Sequence, residues 1–368
     1  EKDMSSLAEI KQKFNQHLLI KDPYVIDLIF ASVLGNTFMP KGRIWLMLVG
    51  ASGGGKTSLV DPLQALVQDT YFLDDFSSKS LLSGFKINGK FQHLLDTINK
   101  KTVVFSDFST ILSKNQDDRG QILAQLRAVY DGKFKKVTGT GQFPWTGRIG
   151  VIACTTTDIY SHMEVGRKAG ERFTYYLLQI DTNKRLLQRQ RESGKFPEEI
   201  SEIMKPLYYE YCFGIKDFIN KNGVPEFNPT PEQYERIEDA AIFAVRCKSF
   251  VRTDFKTGNV ASMPETASAT RDYRTFTTML RVLQIMDAYE VKTIHTPVSD
   301  ARIDLIEKCA YSAICTERRK ILEVLADTRE SMSGSEIGLT HGVGMPKEAV
   351  EKFIAPLHAV GIINRHKL

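Results

Sequence analysis

The chain has 368 residues, with 49 Lys and Arg against 44 Asp and Glu and a formal net charge of +5. Hydrophobic residues make up 42% and charged residues 25%, the balance of a globular protein with material for two or three domains. No apolar run reaches ~18 residues, which excludes a transmembrane helix, and the small positive charge permits nucleic acid without demanding it.

The five cysteines, Cys154, Cys212, Cys247, Cys309 and Cys315, are scattered without zinc spacing and read as reduced thiols of a cytoplasmic protein. No signal-peptide pattern is visible, and the sequence opens on the polar Glu1-Lys2-Asp3. Apolar spacing over residues 5–35 predicts two helices, the second started by Asp22-Pro23. Ile44 to Val49 is a strand-like run, and Ser58-Leu59-Val60 opens a helix. Further strands are expected at Tyr71-Phe72-Leu73, Thr102 to Asp107, Arg148 to Cys154 and Tyr175 to Ile180. Strands alternating with helices imply an α/β fold with a parallel sheet covered on both faces. From about 185 the pattern turns helical, with helices over 231–249, from Thr270 to about Ala288, and over 298–316. The tail reads as helices Arg318 to Leu325, from Ser333, and Pro346 to Ala359, then a strand Gly361 to Arg365; this order is that of a winged helix. The expected divisions are 1–184, 185–316 and 317–368.

Between the first strand and its helix lies Gly50-Ala51-Ser52-Gly53-Gly54-Gly55-Lys56-Thr57, which satisfies the P-loop pattern in the strand–loop–helix context it needs. Such a loop closes backbone N–H groups, including that of Ser58, around phosphate oxygens. Lys56 would reach the β/γ-phosphates and Thr57 would hold Mg²⁺, so ATP and Mg²⁺ are the expected ligands. Asp107, ending a strand 51 residues beyond Lys56, is the candidate second magnesium-site acid. A glutamate, the usual water-activating base, is expected next, but the residue is Phe108. Thr155-Thr156-Thr157 ends the following strand, and Thr156 is favoured for contact with the γ-phosphate or the attacking water. Arg172, in Gly170-Glu171-Arg172-Phe173, can serve as a finger toward a neighbour's phosphate. Arg274 and Arg281 are seven apart, hence on one helix face, and that face looks either onto nucleotide or onto solvent. Residues 130–145 read as a hairpin around Gly139 and Gly141, where Lys133, Lys135 and Lys136 beside aromatics suit DNA backbone contact and base stacking.

The succession GASGGGKT, VVFSDF, a hairpin-sized insert, IACTTT, GERF and RDYRTFTTMLRVL resembles the AAA+ ATPases. More narrowly, it resembles the minichromosome-maintenance-like replicative helicases of phages and mobile elements. The resemblance covers about 20–316. It implies a helical lid over 185–316, Arg172 as the finger and Arg274 as the second sensor. It also places 133–145 as a DNA-touching hairpin and Ser80 to Lys90 as a second insertion. The function so implied is an ATP-driven motor, assembled as a ring of six, that translocates on single- or double-stranded DNA without membrane association. The alternative is an ATP-switched loader, initiator or defence regulator that binds DNA without unwinding it, which Phe108 favours because slow hydrolysis suits a switch. A P-loop kinase of a small substrate is disfavoured by the long helical region and the tail.

Overall fold

A computed structural model of the chain describes residues 5–74, 77, 81, 84–87, 90–138, 141–162, 172–179, 184–249, 251, 254, 260–261, 267–328, 331–340 and 343–364. Helix α1 (Leu7–His17) is capped by the Ser6 hydroxyl, which accepts from the Glu9 backbone N–H. Helix α2 (Tyr24–Phe38) is buried from Val25 to Asn36, so it is a core element and not an amphipathic surface helix. Next come β1 (Trp45–Val49), α3 (Lys56–Val60) and β2 (Thr70–Phe72). The helix after the P-loop is short because it tightens into a 3-10 turn, Asp61–Ala65, that holds Pro62, a residue without an N–H for a longer ladder.

An antiparallel hairpin, β3 (Gly84–Ile87) with β4 (Lys90–His93), leads into α4 (Leu94–Thr97). It falls on the expected second insertion, of which 80, 82–83 and 88–89 lie outside the described residues. Then follow β5 (Thr102–Phe105), α5 (Ser109–Leu112) and α6 (Gln116–Tyr130). A second hairpin joins β6 (Lys133–Thr138) to β7 (Gly141–Thr146), followed by β8 (Gly150–Thr155) and β9 (Thr174–Leu177).

Among the described residues, five strands form one parallel sheet in the order β2-β5-β8-β1-β9. The order places β8 between the P-loop strand and the Asp107 strand. Side chains alternate between two cores, as strand geometry requires. Leu46, Leu48, Val104, Ile152, Cys154 and Tyr176 face one, while Trp45, Met47, Val103, Phe105, Val151 and Tyr175 face the other.

The remainder is helical: α7 (Lys184–Ser193), α8 (Pro197–Asn222), α9 (Pro231–Lys248), α10 (Thr270–Glu290) and α11 (Asp300–Tyr311). Helices α8 to α11 share one continuous core with α2 and the first sheet face, so residue 184 is not a break in packing. Helices α12 (Thr316–Thr328), α13 (Gly334–Leu339) and α14 (Lys347–Ala359) enclose a small core of their own around Ile321, Ile337, Val350 and Ile354.

Expected strand assignments are corrected at three places. The strand expected to run to Asp107 stops at Phe105, and the one expected over Tyr175 to Ile180 stops at Leu177. The strand expected over Gly361 to Arg365 is absent over 361–364, with Arg365 outside the described residues. Gly361, at φ 73°, and Ile362 instead close the end of α14. The Ile362 N–H donates to the Leu357 carbonyl at 3.0 Å and the Gly361 N–H to the His358 carbonyl at 2.9 Å. Glycine in the left-handed region is the ordinary stop signal of a helix, so Gly-Ile-Ile is a cap rather than a wing strand.

The helical layer is tied to the core by charge. Asp27, 0% exposed, accepts from Arg302 at 2.5 Å and pairs with Lys11 at 2.5 Å, while Arg302 also binds both oxygens of Asp287. Removing one partner of a buried ion network leaves uncompensated charge, at a cost of about 3 kcal/mol. Arg302→Leu should therefore lower the denaturant midpoint substantially, and a midpoint equal to wild type in urea titration would show that Lys11 alone satisfies Asp27.

Candidate nucleotide site

The P-loop leaves the carboxyl end of β1 and is fixed there by the Gly50 N–H, which donates to the Thr155 carbonyl of β8 at 3.2 Å. Gly53 and Gly55 hold φ of 71° and 75°, a region that costs an L-residue with a side chain roughly 1–2 kcal/mol. These turns curl the loop over the start of α3. Lys56 is buried, and its ammonium donates to the Gly50 and Ala51 carbonyls at 2.8 and 2.7 Å. Burial lowers its pKa, while Cys154 and Asp107 act in the opposite sense. Thr57 is exposed at the mouth, whereas the Ser58 side chain is buried, so Ser58 can offer a phosphate only its backbone N–H. Cys154 lies behind the loop, and burial pushes its thiol up to about 12.

Asp107 sits two residues beyond β5 at this same edge and is exposed. Its Oδ1 accepts from the Ser109 N–H at 2.8 Å, the turn that starts α5. Phe108 points the other way. It is 1% exposed and packs on Phe105 and Phe173 with ring centroids at 5.6 and 5.8 Å. In this backbone the position after the acid therefore faces the core and does not offer the crevice a base.

At the end of β8 the Thr155 side chain is buried and its hydroxyl lies 3.5 Å from that of Ser109. Thr156 is half-buried and donates to Asp158 at 3.1 Å. Asp158 is thus a second carboxylate at this edge that sequence reasoning missed, because nothing in a lone Asp after three threonines marks it. Thr57 and Asp107, both exposed at this edge, are the oxygen donors that would hold a magnesium ion. Among the described residues no group of three or more His, Cys, Asp or Glu gathers to hold a metal by itself.

The candidate arginines lie elsewhere. Arg172 precedes β9, whose Thr174 is level with Leu46 at the beginning of β1, so it stands at the amino edge of the sheet. Five strand residues separate the two edges, about 16 Å at the usual rise. Arg172 pairs with Asp131 at 3.1 Å and lies 5.2 Å from the centre of the Tyr130 ring. Arg274 and Arg281 line a cavity of about 1110 Å³ on this same edge, together with Lys41, Arg43, Asp131 and Arg271. Arg274 thus lies on the side of the sheet where Arg172 stands, away from Lys56. Arg281 also lies 4.7 Å over the Phe227 ring. Gly170 and Glu171 fall outside the described residues.

Hairpin β6–β7 rises from this edge. Phe134 and its partner Trp145 face the core, whereas Lys133 and Lys135 are exposed on the alternate positions. Lys136 pairs with Phe143 along the strand, its side chain lying outside the described residues, as do Gly139 and Thr140 at the tip. No described helix is long and apolar enough to cross a membrane.

No protein-family model matches the chain, and no curated protein matches it.

Installing the expected base should fail. Phe108→Glu places a carboxylate among Phe105 and Phe173, where an unpaired buried charge costs several kcal/mol. The variant should unfold at clearly lower denaturant and should not hydrolyse ATP faster than wild type. A faster, equally stable variant would show that position 108 can turn to the crevice.

Proposed function

We propose that the chain is an ATP-hydrolysing motor of the AAA+ type that assembles head to tail into a ring, of six by the family resemblance, and moves along DNA. The observation that carries this reading is the separation of two half-sites. The P-loop, Asp107 and the threonines gather at the carboxyl edge of the sheet, and Arg172 and Arg274 at the amino edge, too far apart to share one nucleotide within a chain. A head-to-tail contact sets one chain's arginine edge against the next chain's P-loop, and contacts of that kind close into rings.

Within such a site the loop N–H groups and Lys56 hold the phosphates, and Lys56 exchanges its carbonyl partners for phosphate oxygens. Thr57 and Asp107 would hold magnesium, which would supply neutralising charge to the phosphates. The hydroxyls of Thr155 or Thr156 orient the attacking water, with Asp158 behind Thr156. Arg172 and Arg274 of the neighbouring copy stabilise the charge that develops as the γ-phosphoryl leaves. Phe108 in the core supports slow intrinsic turnover that DNA accelerates. Exposed Lys133 and Lys135 place positive charge along the hairpin, as backbone contact with single-stranded DNA requires.

Mixing tests the shared site. Lys56→Ala and Arg172→Ala should each lose ATP hydrolysis and unwinding by ~100-fold or more. Mixed in equal amounts they should recover hydrolysis, because about a quarter of interfaces in a randomly mixed ring pair two intact halves. Absence of recovery in a steady-state phosphate-release assay would place Arg172 outside the site. Wild-type hydrolysis without any unwinding would favour the switch-like loader instead.

A further inference from the structure

Arg172 does not project freely from the amino edge. Its Nη2 donates to both oxygens of Asp131, at 3.1 and 3.2 Å, and its plane lies over Tyr130. The Arg172 side chain is 8% exposed and that of Asp131 54%, so the carboxylate faces outward with the guanidinium tucked behind it. Two further arginines line the same cavity as Asp131. The Arg43 guanidinium is 5.9 Å from the Tyr130 ring centroid, and its Nη2 lies 2.3 Å from where a Cβ on Gly132 would stand. Arg271 has its pKa lowered by burial and then by Arg172, with Tyr130 and Asp131 acting in the opposite sense. Arg43, Arg271, Arg274 and Arg281 line this cavity with Asp131, so it presents several guanidinium groups to an arriving anion.

Asp131 is also the foot of the DNA-facing hairpin. It caps α6, and β6 begins two residues later at Lys133. Between them Gly132 takes φ 77° with no room for a side chain, and its carbonyl accepts from the Gly147 N–H at 3.2 Å, closing the base of the hairpin.

We infer that Asp131 is a positioning residue that links the arginine offered to the neighbouring copy with the hairpin offered to DNA. With no phosphate opposite, Asp131 holds Arg172 against Tyr130 and fixes the hairpin foot. When the neighbour's γ-phosphate, with more charge than a carboxylate, draws Arg172 across the interface, Asp131 loses that partner and the foot is released. After hydrolysis and phosphate departure the pair re-forms. The exchange is one of ion partners and needs no covalent step. It rests on the shared-site reading above.

Asp131→Asn tests it, because it keeps size and one acceptor oxygen while removing the charge. More than half of the Asp131 side chain is exposed, so the variant should melt with wild type. ATP hydrolysis is measured with and without single-stranded DNA. The ratio of DNA-stimulated to unstimulated kcat should fall by about fivefold or more, with the ATP KM unchanged, and Asp131→Glu should restore the ratio. A wild-type ratio in Asp131→Asn overturns the link and leaves the shared site standing. So does a loss of ratio that Asp131→Glu does not restore, since packing rather than charge then decides it. A wild-type protein whose hydrolysis ignores DNA, or survives Lys56→Ala, removes the motor reading and the link with it.

Discussion

Every strand of the central sheet runs in the same direction, and the remaining chemistry depends on that constraint. A parallel sheet has two unlike edges: all chain ends entering it lie on one side and all leaving it on the other. Loops that follow strands therefore meet each other and never meet loops that precede strands. Gly50, Asp107 and Thr155 all follow strands, so the fold collects them although more than one hundred residues separate the first from the last. Arg43, Arg148 and Arg172 all precede strands and are collected opposite. In the proposed reading these two collections are the halves of one site, and the activity then needs a second copy.

The same sheet explains why the acid strand departs from the expected pattern. β5 is buried on both faces, and its continuation turns sharply through the Asp107–Ser109 hydrogen bond. One residue past Asp107 the chain again faces the second core, where Phe105 and Phe173 leave an aromatic-sized place. Phe108 fills it. What looks in the sequence like a missing base is in the structure a core residue, with Ser109, Thr155, Thr156 and Asp158 around the crevice instead.

Placement of the lid-like helices is equally a matter of packing. Helices α8 to α11 complete the first core against α2, and Arg302 bridges Asp27 of α2 to Asp287 of α10. That bridge orients α10 so that its opening turns, with Arg271 and Arg274, lie beside Arg43 rather than over the P-loop. Tyr208 of α8 donates to the Leu59 carbonyl at 2.8 Å, so the same layer also braces the nucleotide-loop helix. The helical layer thereby touches both edges of the sheet.

The sequence by itself determined the P-loop, the alternation of strands and helices around it, the α/β class and the hairpin at 133–145. Each of these rests on local pattern: glycines at fixed offsets, apolar runs of strand length, turn residues between them. It also named Asp107, Thr156 and Arg172 as chemically able residues. It misread Gly361-Ile362-Ile363 as a strand, because a helix stop and a strand start share the same glycine followed by branched apolar residues. The sequence was silent on Asp131, Tyr130 and Arg43, whose partners come from other elements and leave no periodic trace. Only the tertiary structure decided which edge each candidate joins, because strand order is set by long-range pairing that no local spacing encodes.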